Sequence, residues 1–218
     1  MSKKLIMNND EIALYNNFNI FEVTMSSDTP DYELKDNGKP IKKLIINDVS
    51  VTPPKGTWVE YSLKEGANTI KYNNDIRFDN HPNTVSIKAI QTDYIEDCAN
   101  LFAGLNASFD FKNINTSNVT NMYSMFSNNR VAELDLTNFD TSNVTDMRSM
   151  FSYCTNLTLL DLSSFDTSKV TEYSYMLDEV PASCVIKVSD KFTFTESRVG
   201  WKGSFTRVAF KDPTINNY

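Results

Sequence analysis

Apolar and polar positions follow two different rhythms along this chain, and the change comes near residue 92. Before it, short runs read with period two: residues 42–51 (KKLIINDVSV), 57–63 (TWVEYSL), 69–72, 75–78 and 84–90 (TVSIKAI). Side chains of a strand point alternately to opposite faces, so these runs predict a sheet with one wet face. Asn47-Asp48 sits where a tight hairpin turn belongs, because Asn and Asp tolerate positive φ. Pro53-Pro54 then stops the strand. Residues 5–7 and 18–25 are two further strand-like runs, and the polar stretch 26–39 reads as a linker. Residues 1–40 are accordingly expected to form a small docking arm, and 41–91 a β-rich cap.

After residue 92 a repeat takes over. Thr116-Ser117-Asn118-Val119-Thr120 recurs at Thr141-Ser142-Asn143-Val144-Thr145 and at Thr167-Ser168-Lys169-Val170-Thr171. The periods are 25 and 26 residues. Met122, Met147 and Tyr173 follow each Val, then Met125-Phe126, Met150-Phe151 and Met176-Leu177. Leu134-Asp135-Leu136 matches Leu160-Asp161-Leu162 and Ile186-Lys187-Val188. A degenerate first copy starts at Thr92, with Ile95, Cys98 and Leu101-Phe102 in the apolar slots and Phe109-Asp110-Phe111 as its strand. Val, Met, Met and Phe at i, i+3, i+6 and i+7 line one face of a two-turn helix, with Thr-Ser-Asn ahead as the cap. Leu-Asp-Leu alternates as a short strand. Neither element is stable alone, so four copies must stack and share a core. The predicted fold class is α+β: a short leucine-rich-repeat-like solenoid of four 24–26-residue helix–strand repeats over 92–192, with a parallel sheet on one side. The β-rich cap precedes it and a closing segment, 193–218, follows.

The pattern T-S-N-V-T-x-M-x-x-M-F followed by L-D-L-x-x-F-D-T-S resembles the BspA-type leucine-rich repeat proteins of bacterial surfaces. The resemblance covers roughly residues 92–192, and Gly200-Trp201-Lys202-Gly203-Ser204-Phe205 is similar to the closing segment of such arrays. It implies a leucine-rich-repeat-like fold and a binding or adhesion role without naming a ligand.

Charge narrows the partners. The chain carries 21 basic and 28 acidic residues, and residues 92–192 alone hold 6 and 14. An acidic middle disfavours the phosphate backbone, so nucleic acid is not an expected partner. No apolar run approaches the ~20 residues that span a bilayer, so membrane insertion is not expected either. The N-terminal residues show no apolar core of a signal peptide. That points to a virion-associated protein, or one delivered without the secretory signal, rather than to classical secretion.

Catalytic chemistry is hard to assemble from these residues. His81 is the single histidine, in the turn-like Asp79-Asn80-His81-Pro82-Asn83. Cys98, Cys154 and Cys184 have no zinc-ligand spacing and read as free structural thiols. Isolated glycines make no phosphate-cradling loop. No catalytic residue, metal or cofactor is expected. Asn115, Asp140 and Asp166, each before Thr-Ser, read as Asx-type turn or capping residues.

One constellation remains. Asp110, Asp135, Asp161 and Lys187 occupy the same outward strand position, with Glu133 extending the row. Stacked like charges at ~4.8 Å repel. The row is therefore either a solvated face or a binding face for a cation, a basic peptide or carbohydrate hydroxyls. The expectation is a non-enzymatic recognition or adhesion protein that binds a protein or glycan at a cell surface. The alternative is a structural component of a larger particle, such as a phage virion head or tail appendage. In that case residues 1–40 would dock it to other subunits or to further copies of itself.

Overall fold

Asn47 and Asp48 adopt φ of 49° and 63°, the paired left-handed conformation of a two-residue hairpin. They join β3 (Leu44–Ile46) to β4 (Val49–Val51). The computed structural model describes residues 19–36, 44–51, 59–72, 76–78 and 80–213. The strand run expected at 5–7 lies outside the described residues.

The cap is two sheets. β1 (Asn19–Met25) lies between β6 (Gly66–Tyr72) and β8 (Thr84–Gln91), antiparallel to both, and β3 extends the sheet beyond β6. Strict alternation in NIFEVTM buries Phe21, Val23 and Met25 on one side. β2 (Thr29–Asp36) pairs with β5 (Val59–Leu63) and β7 (Ile76–Phe78) in a second sheet, and buries Tyr32 and Leu34. It falls inside the stretch read as a linker, where two inward apolar residues among charged ones gave a weak pattern. Of the expected docking arm, residues 1–18 and 37–40 lie outside the described residues, and β1 and β2 are paired within the cap.

The solenoid grows directly from this cap. β9 (Ser108–Asp110) runs parallel to β8, with Ile87 opposite Phe109. Phe102 packs 5.7 Å from Phe21 and 5.9 Å from Phe78, so the first turn and the cap share one core. β10 (Glu133–Asp135), β11 (Leu159–Leu162) and β12 (Val185–Val188) then form a parallel ladder, closed by β13 (Thr206–Arg207). Met122, Met125, Phe126, Leu134, Leu136 and Phe139 are buried, as are Met147, Met150, Phe151, Leu160, Leu162 and Phe165 in the next turn. At the far end Trp201 is buried, its Nε1–H donates to Pro181 O at 3.3 Å, and its ring packs 5.2 Å from Phe205.

The expected α+β class is corrected here. Among the described residues there is no helix; the protein is all β, with a β-solenoid of about four turns instead of helix–strand repeats. Each segment expected as a helix is a chain of overlapping β-turns. In one copy Met125 N–H donates to Met122 O, Ser127 to Ser124 and Asn129 to Phe126. The intervening amides leave the segment altogether: Met122, Ser124, Phe126 and Asn128 donate to Asp146, Arg148, Met150 and Ser152 of the next turn. Asn100, Ser124, Ser149 and Tyr175 take φ of 53° to 58°, a left-handed residue that no α-helix admits. An ~8-residue helix closes few of its own bonds, whereas turn-to-turn bonds satisfy the same amides and stack the chain. The i, i+3, i+6, i+7 burial pattern is common to both.

The Thr-Ser-Asn element has a related role. Thr92, Thr116, Thr141 and Thr167 are buried, and each hydroxyl donates to a carbonyl of the following turn, of Asn115, Asp140, Asp166 and Lys191 respectively. Asn115, Asp140 and Asp166 accept from the N–H two residues on, at 2.9–3.1 Å, as Asx turns.

Candidate functional site

The strand ladder is broken at one place. Among the described residues β9 pairs only with β8 and β10 only with β11. The turns still touch on either side of the break, because Arg130 N–H donates to Leu105 O at 3.2 Å and Asn138 Nδ2 to Phe111 O at 3.4 Å. The connections into the strands differ in length along the solenoid. From Phe102 to Phe109 is seven residues, from Phe126 to Leu134 eight, and from Phe151 to Leu160 and Leu177 to Ile186 nine. Connection length alone does not decide pairing, because β10 and β11 pair in register although they are fed by eight and nine residues.

A groove of about 460 Å³ opens at this break, lined by Ser108, Phe109, Val131, Glu133, Leu134, Asp135, Thr137, Leu159 and Asp161. Phe109 belongs to the inward ladder, packing 5.2 Å from Phe111 and 5.9 Å from Phe126, yet it is only half-buried because the groove reaches it. Apolar surface therefore forms the floor. Three carboxylates stand at the rim, and the lining holds no Lys, Arg or His.

Of the five residues expected to form the binding row, the groove gathers Glu133, Asp135 and Asp161. Asp110 and Lys187 share the outward strand position but do not line it. Lys187 lies opposite Asp161 on one side and Thr206 on the other. The row also has an internal task. Asp110, Asp135 and Asp161 each accept from the N–H two residues on, of Lys112, Thr137 and Ser163, at 3.0–3.1 Å. Thr137 and Ser163 add hydroxyl donors to the same Oδ1 atoms. These bonds engage one oxygen, Oδ1, of each carboxylate.

At Asp161 the second oxygen is taken as well. Lys211 Nζ lies 2.6 Å from Asp161 Oδ2, and Lys211 N–H donates to Ser163 O at 3.0 Å. Burial works to raise the Asp161 pKa, but the bonds from Lys211 and Ser163 outweigh it and hold the carboxyl below its ordinary range. Asp166 is held low in the same way, with bonds from Ser168 and Lys191 overcoming burial. Glu133 and Asp135 have no ion-pair partner among the described residues.

Sequence reasoning missed Phe109 as an accessible residue, Val131 as a wall, and the Lys211 contact. Nothing local marks Lys211, fifty residues from its partner. A second ladder was also missed: Asp97, Asn121, Asp146 and Glu172 form parallel bridges between turns, and Arg148 pairs with Asp146 while lying 5.5 Å from the Tyr123 ring. A smaller depression of about 270 Å³ is lined by Asn80, Gly104, Asn128, Arg130, Tyr153 and Thr155.

Other chemistry is accounted for locally. His81 Nδ1 accepts from Asn83 N–H at 3.2 Å and Nε2 lies 3.5 Å from Asp31. The three cysteines are free and buried. Burial pushes the Cys154 thiol up to about 12 and Cys184 to about 11. Among the described residues no cluster of three His, Cys, Asp or Glu could hold a metal ion, and no helix is long and apolar enough to cross a membrane.

One family description matches residues 71–187, more than half of the chain: Mycoplasma protein of unknown function, DUF285. The matched span runs from the end of β6 into β12 and includes both walls of the groove. No curated protein and no solved structure matches the chain.

Proposed function

The chain belongs to the DUF285 family of Mycoplasma proteins of unknown function, and we propose that it is a non-enzymatic recognition protein whose solenoid binds a protein or glycan at a cell surface. The observation that carries this reading is the groove at the β9–β10 break. It combines an accessible apolar floor with fixed carboxylates, the mix of apolar lining and a few placed polar groups that ligand-holding pockets share. Preorganisation supports it further, since Asx-turn bonds already hold Asp135 and Asp161 in place and little ordering cost remains on binding. The sequence resemblance to BspA-type surface proteins is consistent with the same role.

The test is a blocked groove. Ser108 is an exposed rim residue, so Ser108→Trp fills the opening without disturbing the core. Ser174→Trp, at an exposed position on the turn side, is the control. Labelled protein is titrated onto intact bacterial and animal cells. Saturable binding that Ser108→Trp abolishes and Ser174→Trp leaves intact supports the reading; the reverse pattern, or no saturable binding to any surface, contradicts it.

A further inference from the structure

The groove's chemistry specifies its occupant more narrowly, a step that rests on the recognition reading above. We infer that the groove takes a lysine- or arginine-bearing extended segment of a partner protein. Its aliphatic stem lies on Phe109, Leu134 and Leu159, and its cationic head reaches the rim carboxylates. Long basic side chains suit this division, since they cover apolar surface with the stem while the charge stays at a polar edge.

Three observations point to this occupant. The lining holds Glu133, Asp135 and Asp161 and no basic residue, and of the three carboxylates Asp161 is the one already paired, with Lys211. Asp135 is exposed and commits only Oδ1 to Thr137, which leaves Oδ2 available to an incoming donor. Most directly, the protein already makes such a contact beside the groove. The C-terminal tail runs along the sheet from Val208, whose N–H donates to Val188 O at 2.8 Å, to Lys211, which gives its backbone N–H to Ser163 O and its ammonium to Asp161 Oδ2 at 2.6 Å. An extended segment thus engages the row by one backbone bond and one lysine. The partner repeats this arrangement one turn nearer the cap, at Asp135, where parallel rungs are ~4.8 Å apart. Asp161 is shared between the two sites, so the incoming segment competes with Lys211.

The probe is a fluorescein-labelled octapeptide of alternating Lys and Val, with alternating Glu and Val as the control, followed by anisotropy with the full chain. The expected result is binding of the Lys peptide only, weakened about tenfold in Glu133→Gln/Asp135→Asn, which corresponds to two surface charge contacts together. Lys211→Met should bind severalfold tighter. Lys191→Met removes an equal charge at Asp166, outside the groove lining, and should not. Equal tightening by both variants would mean bulk attraction and overturn the inference, as would equal binding by the carboxylate variant or no binding at all. Should the peptide fail while binding to cells remains sensitive to Ser108→Trp and is competed by neutral oligosaccharides, the basic-segment inference falls and the recognition reading stands.

Discussion

Phe126 and Phe151 occupy equivalent positions in consecutive turns, and their rings lie 5.8 Å apart and within 2° of parallel. Both are fully buried. The stack continues to Phe102, 5.6 Å from Phe126, so one aromatic ladder ties two regular turns to the cap. Truncation in its middle should be felt by the whole chain. Phe151→Ala should cost about 3–5 kcal/mol and Leu162→Ala about 2–5, read from urea titration. A loss within about 0.5 kcal/mol, the usual range for surface changes, would contradict the register.

Ser149 distinguishes a chain of turns from a helix. Its φ of 54° places an L-residue in the left-handed region, which costs about 1–2 kcal/mol and which glycine enters freely. Ser149→Gly should therefore stabilise the protein by up to about 1 kcal/mol. In a helix the same change would destabilise by a few tenths of a kcal/mol or more. The sign of the shift in thermal midpoint decides.

The buried thiols make a pH prediction. Cys154 ionises at about 12 in the folded chain against an ordinary 9.0, so folding favours its neutral form. Its contribution is fully present below about pH 9 and is lost as pH rises toward 12. Cys184, pushed up to about 11, acts in the same sense over a narrower window. Stability should fall between pH 9 and 11, with a smaller slope in Cys154→Ala. The native thiols should also resist a disulfide reagent at pH 8 until denaturant is added. Prompt labelling of Cys154 in the folded protein would contradict its burial.

How much of this was legible in the sequence follows from which interactions are local. The solenoid, its core ladder and the outward row depend on a repeat of near-constant length, and Val119, Met122, Phe126, Leu134 and Leu136 announce their burial by spacing alone. The Asn47-Asp48 hairpin rests on local turn chemistry and is equally plain. The helix expectation failed because inward spacing does not reveal where an amide sends its hydrogen. Ser124 N–H bonds to Arg148 O, a choice made by the neighbouring turn. The candidate row was half visible: period two turned Asp135 and Asp161 outward and the repeat aligned them, but only the missing β9–β10 pairing turns that row into the edge of a groove. Lys211 and Asp161 meet through the path of the tail, which no pattern within either segment encodes.

The most direct measurement is the salt dependence of binding by Asp135→Asn/Asp161→Asn. Asn keeps the side-chain oxygen that each Asx turn requires and removes two charges, so the fold should survive. Affinity for the natural cell surface is measured for the parent and variant from about 50 to 500 mM salt, a range over which the screening length falls severalfold. If the carboxylates carry recognition, the variant should bind more weakly at low salt, with a flatter dependence that meets the parent's at high salt. Undiminished binding with an equal salt dependence would leave the row as a solvated face and contradict the assignment of the groove.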